Sequence, residues 1–507
     1  MLAGCQAWLA LDAYGVSAPD ASLDTAVAAE SAGCATFADC NRDPDAGPRF
    51  ARICKQATHS CVPLLSEDCQ TVTGDYRNDD AIVIGSMFST SGAQAAVNRA
   101  RERSAILAVD EINLAGGIPT GATATALRPL VLVSCDEAQL LRAGAHLVDD
   151  LHVPAIVGPN TSQDTLDLSI KLTIPTGTLV MTPTGVASSI ADLLDDGLTW
   201  QLVPNDEQRM PLMLSALDAL AAELRAGERA KELRLAVIYR DDALGQGTSS
   251  GLNMLTFNGR TLLDPQNLAR AVRIMPYRPD RLSELDLEGL RTFAPDLIVL
   301  IGTAEAVTSV MLPLERGWTA PQRPHYMLVD SLKTPELLEA VSELPDLRRR
   351  IRGTGAIPAE RSTIVNESFI VNYATRYHDE PSNLYGMGPT YDATYAIACA
   401  IAALRGAPIT GRAIANMLPL LARGGTEIEL QSTKTLAAFR LLTEGLPLTL
   451  IGTNAPLQWD ARGSIASGTI ELWCISATAG RPSYASSGLV HDLGSGQLRG
   501  QFTQCPP

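Results

Sequence analysis

The stretch Ala81-Ile-Val-Ile-Gly-Ser-Met-Phe-Ser-Thr-Ser-Gly92 begins as a short apolar run and continues as a loop of serine, threonine and glycine. A helix-like stretch follows, from about residue 95 to residue 114. An apolar strand that leads through small residues into a helix is the repeating unit of a sheet covered by helices. We therefore expect the main α/β domain of the chain to begin near residue 80.

Strand, loop and helix patterns alternate from there onward, which predicts parallel sheets. Further strand candidates are residues 130–133, 155–157, 178–181, 235–239, 297–301 and 325–329. Ligands of such sheets gather at the carboxyl ends of the strands. The predicted site therefore lies in the loops that follow Gly85, Val157, Met181, Tyr239, Ile301 and Val329.

The composition is that of an ordinary globular chain, because the 507 residues are 46% hydrophobic and 19% charged. This length is sufficient for two lobes with additional segments. The balance of 40 Lys and Arg against 56 Asp and Glu gives a formal charge of −16, which repels phosphate backbones. We expect no nucleic acid partner. No stretch approaches the roughly 18 to 20 uninterrupted apolar residues of a membrane-spanning helix.

Five of the ten cysteines fall in one short segment with the spacing C-x5-C-x13-C-x6-C-x7-C, at positions Cys34, Cys40, Cys54, Cys61 and Cys69. Zinc sites use closer pairs, often with histidines, and only His59 is near. We predict a disulfide-rich module over residues 34–75 that folds separately and indicates an oxidising compartment. The alternative is a linker with unpaired thiols.

The sequence alone leaves the pairing of these cysteines open. One possible arrangement pairs Cys34, Cys40, Cys54 and Cys61 among themselves and joins Cys69 to Cys135. Near the C-terminus, Cys474 and Cys505 form another candidate pair. The apolar run around Cys399 predicts a buried free thiol there.

A family resemblance follows from nine short motifs that occur in order and at family-like spacing. They are Ile84-Gly-Ser-Met-Phe-Ser-Thr-Ser-Gly92, Leu107-Ala-Val-Asp-Glu-Ile-Asn-Leu-Ala-Gly-Gly-Ile118, Asp150-Leu-His-Val-Pro-Ala-Ile-Val-Gly-Pro-Asn-Thr-Ser162, Met181-Thr-Pro-Thr184, Val203-Pro-Asn-Asp-Glu-Gln208, Val237-Ile-Tyr-Arg-Asp-Asp-Ala-Leu-Gly245, Pro295-Asp-Leu-Ile-Val299, Tyr391-Asp-Ala393, and Gly452 with Trp459-Asp-Ala-Arg-Gly463. Together, over about residues 80 to 475, the chain resembles the bilobed type I periplasmic solute-binding proteins of the branched-chain amino acid (Leu/Ile/Val) transport group.

This resemblance implies a type I periplasmic-binding-protein fold with two doubly wound parallel-sheet lobes, preceded by the disulfide-rich segment. The implied lobe 1 comprises residues 80–204 and 359–450, and lobe 2 comprises residues 205–358 and 451–507. Three hinge crossings are expected near Pro204, Pro358 and Leu450. Such proteins close on a ligand that contacts both lobes.

The resemblance also implies ligand-binding positions on lobe 1. Ser162 matches a serine at a helix N-terminus, where a hydroxyl and free N–H groups suit a ligand carboxylate. Thr182, Thr184 and Gly185 belong to a loop that offers backbone and hydroxyl groups, although Val186 stands where relatives have a further threonine.

On lobe 2, Thr303 falls near a family aromatic, and Asp330 falls where a carboxylate holds the ligand ammonium. Asp330 could equally be a solvated or helix-capping residue. An aromatic that covers the ligand in relatives is replaced around Ala96 and Val97, and Phe88 could fill its space. The implied ligand is a small polar molecule, amino acid-like by family.

The first residues, Met1-Leu-Ala-Gly-Cys5, include a stretch similar to the lipobox of bacterial lipoproteins. The similarity implies lipidation of Cys5, with residues 1–33 as lipobox and tether. A secretion signal needs about 7 to 15 apolar residues before the box. Since only Met1 precedes it, either the native start lies upstream or the similarity is accidental.

Catalytic patterns are absent from the sequence: the six histidines are scattered, with no His-Glu-x-x-His pair and no Gly-x-Ser-x-Gly elbow beside them. A glycine-rich loop over residues 245–251 is similar to a dinucleotide loop, but its second glycine interval is one residue too long. We expect no enzyme activity, no catalytic residue, no metal and no cofactor.

By resemblance, the chain is a monomeric periplasmic receptor, lipid-anchored in the cell envelope, that delivers its ligand to an ABC-type permease in the membrane. The alternative is a ligand sensor or interaction protein of the same fold without transport. An enzyme on a doubly wound scaffold is the third hypothesis.

Overall fold

The computed structural model describes residues 33–43, 47–55, 58–92, 94–121, 126–226, 232–379, 385–422, 424–477 and 480–505. Cys5 and the predicted tether up to residue 32 lie outside this part of the chain. The described residues build two sheets with helices on their faces, and each sheet has its own hydrophobic core.

The first sheet has six strands in the order β10-β9-β8-β4-β7-β3. Its pairs are parallel except for β3, which runs antiparallel to β7. The elements up to this sheet's last strand are α1 (Phe37–Cys40), β1 (Arg52–Lys55), β2 (Ser60–Pro63), β3 (Cys69–Thr73), β4 (Ile82–Phe88), α2 (Ala95–Leu114), β5 (Ile118–Thr120), β6 (Ala126–Arg128), β7 (Leu130–Asp136), α3 (Leu140–Ala145), β8 (Ala155–Val157), α4 (Ser162–Leu168), α5 (Ile174–Thr176), β9 (Leu179–Thr182), α6 (Ser188–Ala191) and β10 (Thr199–Gln201).

The second sheet has eight strands in the order β14-β11-β15-β16-β17-β20-β21-β22. Its first five strands are parallel, and its last three run antiparallel. The elements that follow β10 are α7 (Asp206–Ala226), β11 (Leu235–Arg240), α8 (Ala243–Gly251), β12 (Thr256–Phe257), β13 (Arg260–Thr261), α9 (Pro265–Arg270), β14 (Val272–Tyr277), α10 (Leu287–Phe293), β15 (Leu297–Ile301), α11 (Leu312–Arg316), β16 (His325–Leu328), α12 (Pro335–Glu343) and β17 (Ile351–Ile357).

The chain then returns to the first lobe and afterwards ends in the second. The returning elements are α13 (Thr363–Tyr377), α14 (Met387–Ala403), α15 (Gly411–Met417), β18 (Thr426–Glu429), α16 (Thr435–Glu444) and β19 (Leu448–Ile451). The final strands are β20 (Thr469–Ser476), β21 (Ser483–Asp492) and β22 (Gln497–Arg499). Helix α14 is buried along its whole length, as its nearly continuous apolar sequence requires.

Three passages of the chain connect the two cores, over residues 202–205, 358–362 and 452–468. Pro204 and Pro358 lie within the first two passages, whereas Leu450 lies in β19, just before the third. Hinge motion at these passages stays a prediction.

The periodicity of the sequence located seven of the parallel strands (β4, β7, β8, β9, β11, β15 and β16), because each is a short run of apolar residues next to a turn. It missed the parallel strands β10, β14 and β17 and the antiparallel edges, which are β3 in the first sheet and β20 to β22 in the second. Strands β20 to β22 follow one another without a crossover helix and so lack the strand-helix alternation that reveals parallel strands, while β3 pairs with β7, which lies far away along the chain. The α/β architecture is confirmed, with mixed edges on both sheets.

The Cys-rich segment is attached to the first lobe, and the prediction that it folds separately is wrong. Its strand β3 extends the first sheet, and Ile53 and Leu64 pack in one core with Val131 and Val133 of β7. Disulfides join Cys34 to Cys54, Cys40 to Cys61 and Cys69 to Cys135. The segment is too short to form a core of its own, so its few apolar side chains are buried against the first sheet, which a chain of 507 residues makes large enough.

The remaining cysteines agree with the sequence analysis. Cys474 is bonded to Cys505, and Cys399 is a buried free thiol in α14 whose pKa is raised to about 12 by burial. A thiol in that state behaves as a small apolar side chain. Among the described helices, none is both long enough and apolar enough to cross a membrane.

Candidate functional site

A cavity of about 310 Å³ lies between the two lobes. Each of the six strand-end loops singled out from the sequence contributes residues to its wall, together with α2 and Tyr385. The wall consists of Ser89, Gln94, Val97, Asn98, Arg101, Asn160, Thr161, Ser162, Asp164, Thr184, Val186, Arg240, Asp242, Leu244, Thr303, Ala304, Asp330, Ser331, Lys333, Thr334, Pro335 and Tyr385.

On the lobe 1 wall, Arg101 is the central charged side chain. It follows the core-facing register of α2, in line with Ala105, Ala108 and Ile112, so only 9% of its surface is exposed. Its Nε donates to the Tyr385 carbonyl oxygen at 2.8 Å. Its Nη1 donates to the amide oxygens of two neighbouring asparagines, Asn98 and Asn160.

Glu137 lies behind this wall and is 5% exposed. Its carboxyl oxygens accept hydrogen bonds from the Ser89 hydroxyl at 2.6 Å and from the Asn160 N–H at 3.0 Å. Burial, reinforced by the charge of Asp164, raises the pKa of Glu137 to about 8. The neutral acid is therefore the main form at pH 7.

The predicted lobe 1 ligand residues separate into two groups. Ser162 and Thr184 lie on the cavity wall, while Thr182 and Gly185 are tied up behind it. The Thr182 hydroxyl donates to the Pro159 carbonyl at 3.0 Å and accepts from the Gly185 N–H at 2.9 Å.

Ser162 has a structural task of its own. Its Oγ accepts hydrogen bonds from the N–H groups of Val186 at 3.0 Å and Ala187 at 3.1 Å, which fixes the loop after β9. The N-cap of α4 is the preceding residue, Thr161, whose hydroxyl accepts from the Asp164 N–H at 3.0 Å.

On the lobe 2 wall, Asp330 already has a cationic partner from the protein itself. Its carboxylate forms an ion pair with Arg209 of α7, and the two side chains are 1% and 6% exposed. Both carboxylate oxygens are shielded from solvent. The Arg209 guanidinium also donates to the Tyr385 hydroxyl at 3.1 Å, so Tyr385 contacts an arginine of each lobe.

The two cations of the lobe 2 wall, Arg240 and Lys333, are paired with carboxylates as well. Arg240 lies 2.5 Å from Asp242 and 3.5 Å from Glu305, whose carboxylate also accepts the Thr303 hydroxyl. The Lys333 ammonium lies 3.0 Å from a Glu471 carboxylate oxygen. Thr303 therefore lines the cavity, as predicted for its loop, and lies beside the ion pair of Arg240 and Glu305.

Phe88 does not fill the cavity. It is fully buried at the end of β4 and belongs to the lobe 1 core, because alternate residues of a strand face opposite sides of the sheet. Val97 lines the cavity where the sequence analysis placed a lost aromatic, and Ala96 is exposed.

The sequence analysis missed Arg101, Arg209, Lys333 and Tyr385. Arg101 had a detectable signal, because it is a charged residue at the helical spacing of three apolar ones. Arg209 and Tyr385 had none, since their roles depend on contacts between segments more than 100 positions apart.

A metal centre finds little support in the described part of the chain. The group of three possible ligands found there, Cys34, Cys40 and Cys61, consists of cysteines that are bonded in disulfides. A disulfide sulfur does not offer the thiolate that binds zinc.

No family model matches the sequence, and no curated protein matches it. Solved structures do match the fold. A leucine-binding protein LivK from Thermotoga maritima superposes with a TM-score of 0.56 at 17% identity, over 80% of this chain and 98% of that one. LivJ from Streptococcus pneumoniae in complex with isoleucine gives 0.54 at 18% identity, over 80% and 99%.

A solute-binding protein of an ABC transporter from R. palustris, in complex with benzoate, gives a TM-score of 0.57 at 12% identity, over 84% of this chain and 99% of that one. These similarities establish the fold: the chain has the two-lobed architecture of type I periplasmic binding proteins.

Proposed function

We propose that the protein is an extracytoplasmic receptor that captures a small organic solute between its two lobes and presents it to an ABC-type permease. The single observation that supports this most is the cavity of about 310 Å³, whose wall combines strand-end loops of both sheets. A ligand there contacts both lobes at once, and such a ligand favours the closed arrangement over the open one.

The chemistry of the wall favours binding over catalysis. Among the described residues that form it, none is a histidine or cysteine, and its serine and threonine hydroxyls are held in structural hydrogen bonds: Thr161 bonds to Asp164, Thr303 to Glu305 and Ser89 to Glu137. Ser162, for example, accepts two backbone hydrogen bonds. The wall can desolvate and orient a solute, which is what a receptor needs.

The scaffold by itself leaves the ligand class open. Its structural neighbours include one in complex with isoleucine and one in complex with benzoate, that is, an amino acid and a carboxylate without an amine. By family, an amino acid-like solute is the default for this chain.

The disulfides support an oxidising, extracytoplasmic location. Lipid anchoring through Cys5 and a monomeric state belong to the same proposal. Substituting Cys5→Ala in the full-length precursor should release the protein from membranes, and unchanged fractionation would contradict the anchor.

A metabolite screen tests the receptor function directly. A ligand at 100 times its Kd adds about 2.7 kcal/mol to the free energy of unfolding, which a thermal-shift assay detects. Small-angle scattering should show a more compact particle with the same ligand.

A matched pair of variants on α8 supplies the control. Leu244 lines the cavity, whereas Gln246 on the same helix is exposed. Leu244→Trp should abolish the ligand-induced shift, and Gln246→Trp should retain it. If no metabolite fraction stabilises or compacts the parent protein, the receptor function is wrong.

A further inference from the structure

The lobe 1 wall holds a cation that no described acid neutralises. The guanidinium of Arg101 bonds only to neutral oxygens, which are a backbone carbonyl and two side-chain amides. Its Nη2 group makes no hydrogen bond to the described residues, and the side chain lines the cavity. A nearly buried charge without a counter-charge is costly. The site is therefore incomplete without an anion.

Glu137 does not supply that anion at neutral pH. Among the described residues, it is the one carboxyl group whose charge acts on Arg101, and none of their carboxylate oxygens lies within 4 Å of the guanidinium. Burial raises the pKa of Glu137 to about 8, so the acid is mostly protonated at pH 7. Burial also lowers the pKa of Arg101 to about 10, which still leaves the arginine charged.

The carboxyl groups of the cavity wall are already engaged by groups of the protein itself. Asp330, the residue expected to hold an ammonium group, is paired with Arg209 and shielded from solvent. Asp242 is paired with Arg240. Asp164 accepts a hydrogen bond from the Thr161 hydroxyl at 2.6 Å. Burial raises the pKa of Asp164, and the positive charge of Arg240 lowers it by a smaller amount.

Apolar side chains from both lobes complete the wall between these charged groups. They are Val97, Val186, Leu244, Ala304 and Pro335. They can enclose a hydrocarbon body, while the free edge of Arg101 can hold an anionic end through charge-assisted hydrogen bonds.

We propose that the solute is a small organic carboxylate that lacks an ammonium group, with its carboxylate bound by Arg101 and its apolar body enclosed between Val97 and Leu244. The inference rests on the proposed receptor function and narrows its ligand class. It replaces the amino acid-like ligand that the family resemblance implies.

Calorimetry with three probes of equal branching tests the charge requirement. L-leucine carries both charged groups, isocaproate is the same skeleton without the amine, and isoamylamine is the skeleton without the carboxylate. Isocaproate, with benzoate as a rigid second carboxylate, should bind at least about tenfold more tightly than leucine, because the wall carboxyl groups that could hold the ammonium group of leucine are already bonded to Arg209, Arg240 and Thr161. Equal or tighter binding of leucine, or no binding of either carboxylate, overturns the inference.

A second matched pair of variants tests the role of Arg101. Val97→Glu places a carboxylate one helical turn before Arg101, where it can form an ion pair with the guanidinium. Ala96→Glu adds the same charge at the neighbouring exposed position. Carboxylate affinity should fall by about tenfold or more in Val97→Glu and stay unchanged in Ala96→Glu. Equal affinities in the two variants contradict the assignment.

Arg101→Gln and Arg101→Lys provide an independent measurement. Isocaproate binding should be lost in the first and partly retained in the second, with unfolding temperatures reported for both. If Arg101→Gln folds and binds isocaproate like the parent, Arg101 is not the carboxylate ligand.

Mass spectrometry of a bound metabolite separates this inference from the receptor function. An extract component that compacts the lobes and contains an amine overturns the carboxylate assignment and leaves the receptor function standing. An extract that produces neither compaction nor stabilisation overturns the receptor function itself.

Discussion

The two walls of the cavity treat charge differently. On the lobe 2 wall each charged side chain has an opposite charge beside it, as in Asp330 with Arg209 and Lys333 with Glu471. On the lobe 1 wall the described partners of Arg101 are all neutral. The paired charges of the lobe 2 wall stabilise the fold, whereas the unpaired charge of Arg101 on the lobe 1 wall is available to a ligand. Removing a charge should therefore damage stability on lobe 2 and binding on lobe 1.

The largest expected effect is the loss of stability in Asp330→Ala. Removing one partner of a buried ion pair leaves an uncompensated charge, which costs about 3–5 kcal/mol. We expect the lower part of this range, because Asp206, whose pKa burial raises to about 7, lies in the field of Arg209 and can ionise. Chemical denaturation without ligand measures the change.

The double variant Asp330→Leu with Arg209→Met is its control. Replacing both partners by apolar side chains removes the unpaired charge, so most of the lost stability should return. A double variant as unstable as Asp330→Ala would show that the pair acts through something other than charge compensation.

The next effect concerns pH and the neutral state of Glu137. Its pKa in the folded protein is about 8, against an ordinary 4.5, so between these values the folded state keeps a proton that the unfolded chain has released. The stabilising contribution is complete below 4.5 and is lost as the pH rises to 8, by at most about 1.4 kcal/mol per pH unit.

Glu137→Gln should flatten the fall in unfolding free energy between pH 5 and pH 8. Some slope should remain, because the pKa values of Asp206 and Asp392 are also raised, to about 7. The exposed Glu288→Gln is the control and should leave the profile unchanged. Carboxylate binding at pH 7 should survive Glu137→Gln, and its loss would indicate that ionised Glu137 takes part in the site.

The smallest effect is expected for Ser162→Ala. The substitution leaves the buried N–H groups of Val186 and Ala187 without an acceptor, which costs about 1–2 kcal/mol of stability. Ser342→Ala, on an exposed position of α12, should cost less. If Ser162→Ala weakens carboxylate binding about tenfold with unchanged stability, the serine contacts the ligand directly.

Seven of the ten parallel strands in the two sheets, together with α2, could be predicted from the sequence because local patterns determine them. The run 297–301 is wholly apolar and forms β15 with the same bounds, and α2 spans the predicted residues 95–114. The edge strands could not be predicted in this way. Strand β3 is half exposed and depends on pairing with β7, more than 50 positions away along the chain.

The sequence predicted which loops form the cavity, but not which side chains pair with one another there. The family resemblance identified Asp330, and only the structure shows that Arg209 forms an ion pair with it. A buried ion pair between a helix start and a loop 121 positions later depends on tertiary packing, which has no local sequence signal. The same applies to Tyr385, which contacts an arginine of each lobe.

The three passages between the lobes are bound to one another. The second leaves the sheet at Ile357 and the third enters it at Thr469, and these residues are direct partners of β17 and β20. The Ala359 N–H donates to the Asn454 carbonyl at 2.8 Å, and the Asn205 amide donates to the Ser464 hydroxyl at 3.2 Å. Any relative rotation of the lobes therefore turns about a single axis beside β17.

Distance from that axis sets how far each loop swings. Asp330 follows β16, one strand from β17, whereas Arg240 ends β11, three strands away. With a constant spacing of about 4.8 Å between strands, the Arg240 loop travels roughly three times the arc of the Asp330 loop. We therefore expect the Asp330 side of the cavity to move least when the lobes open, and a departing solute to separate from the Arg240 loop first.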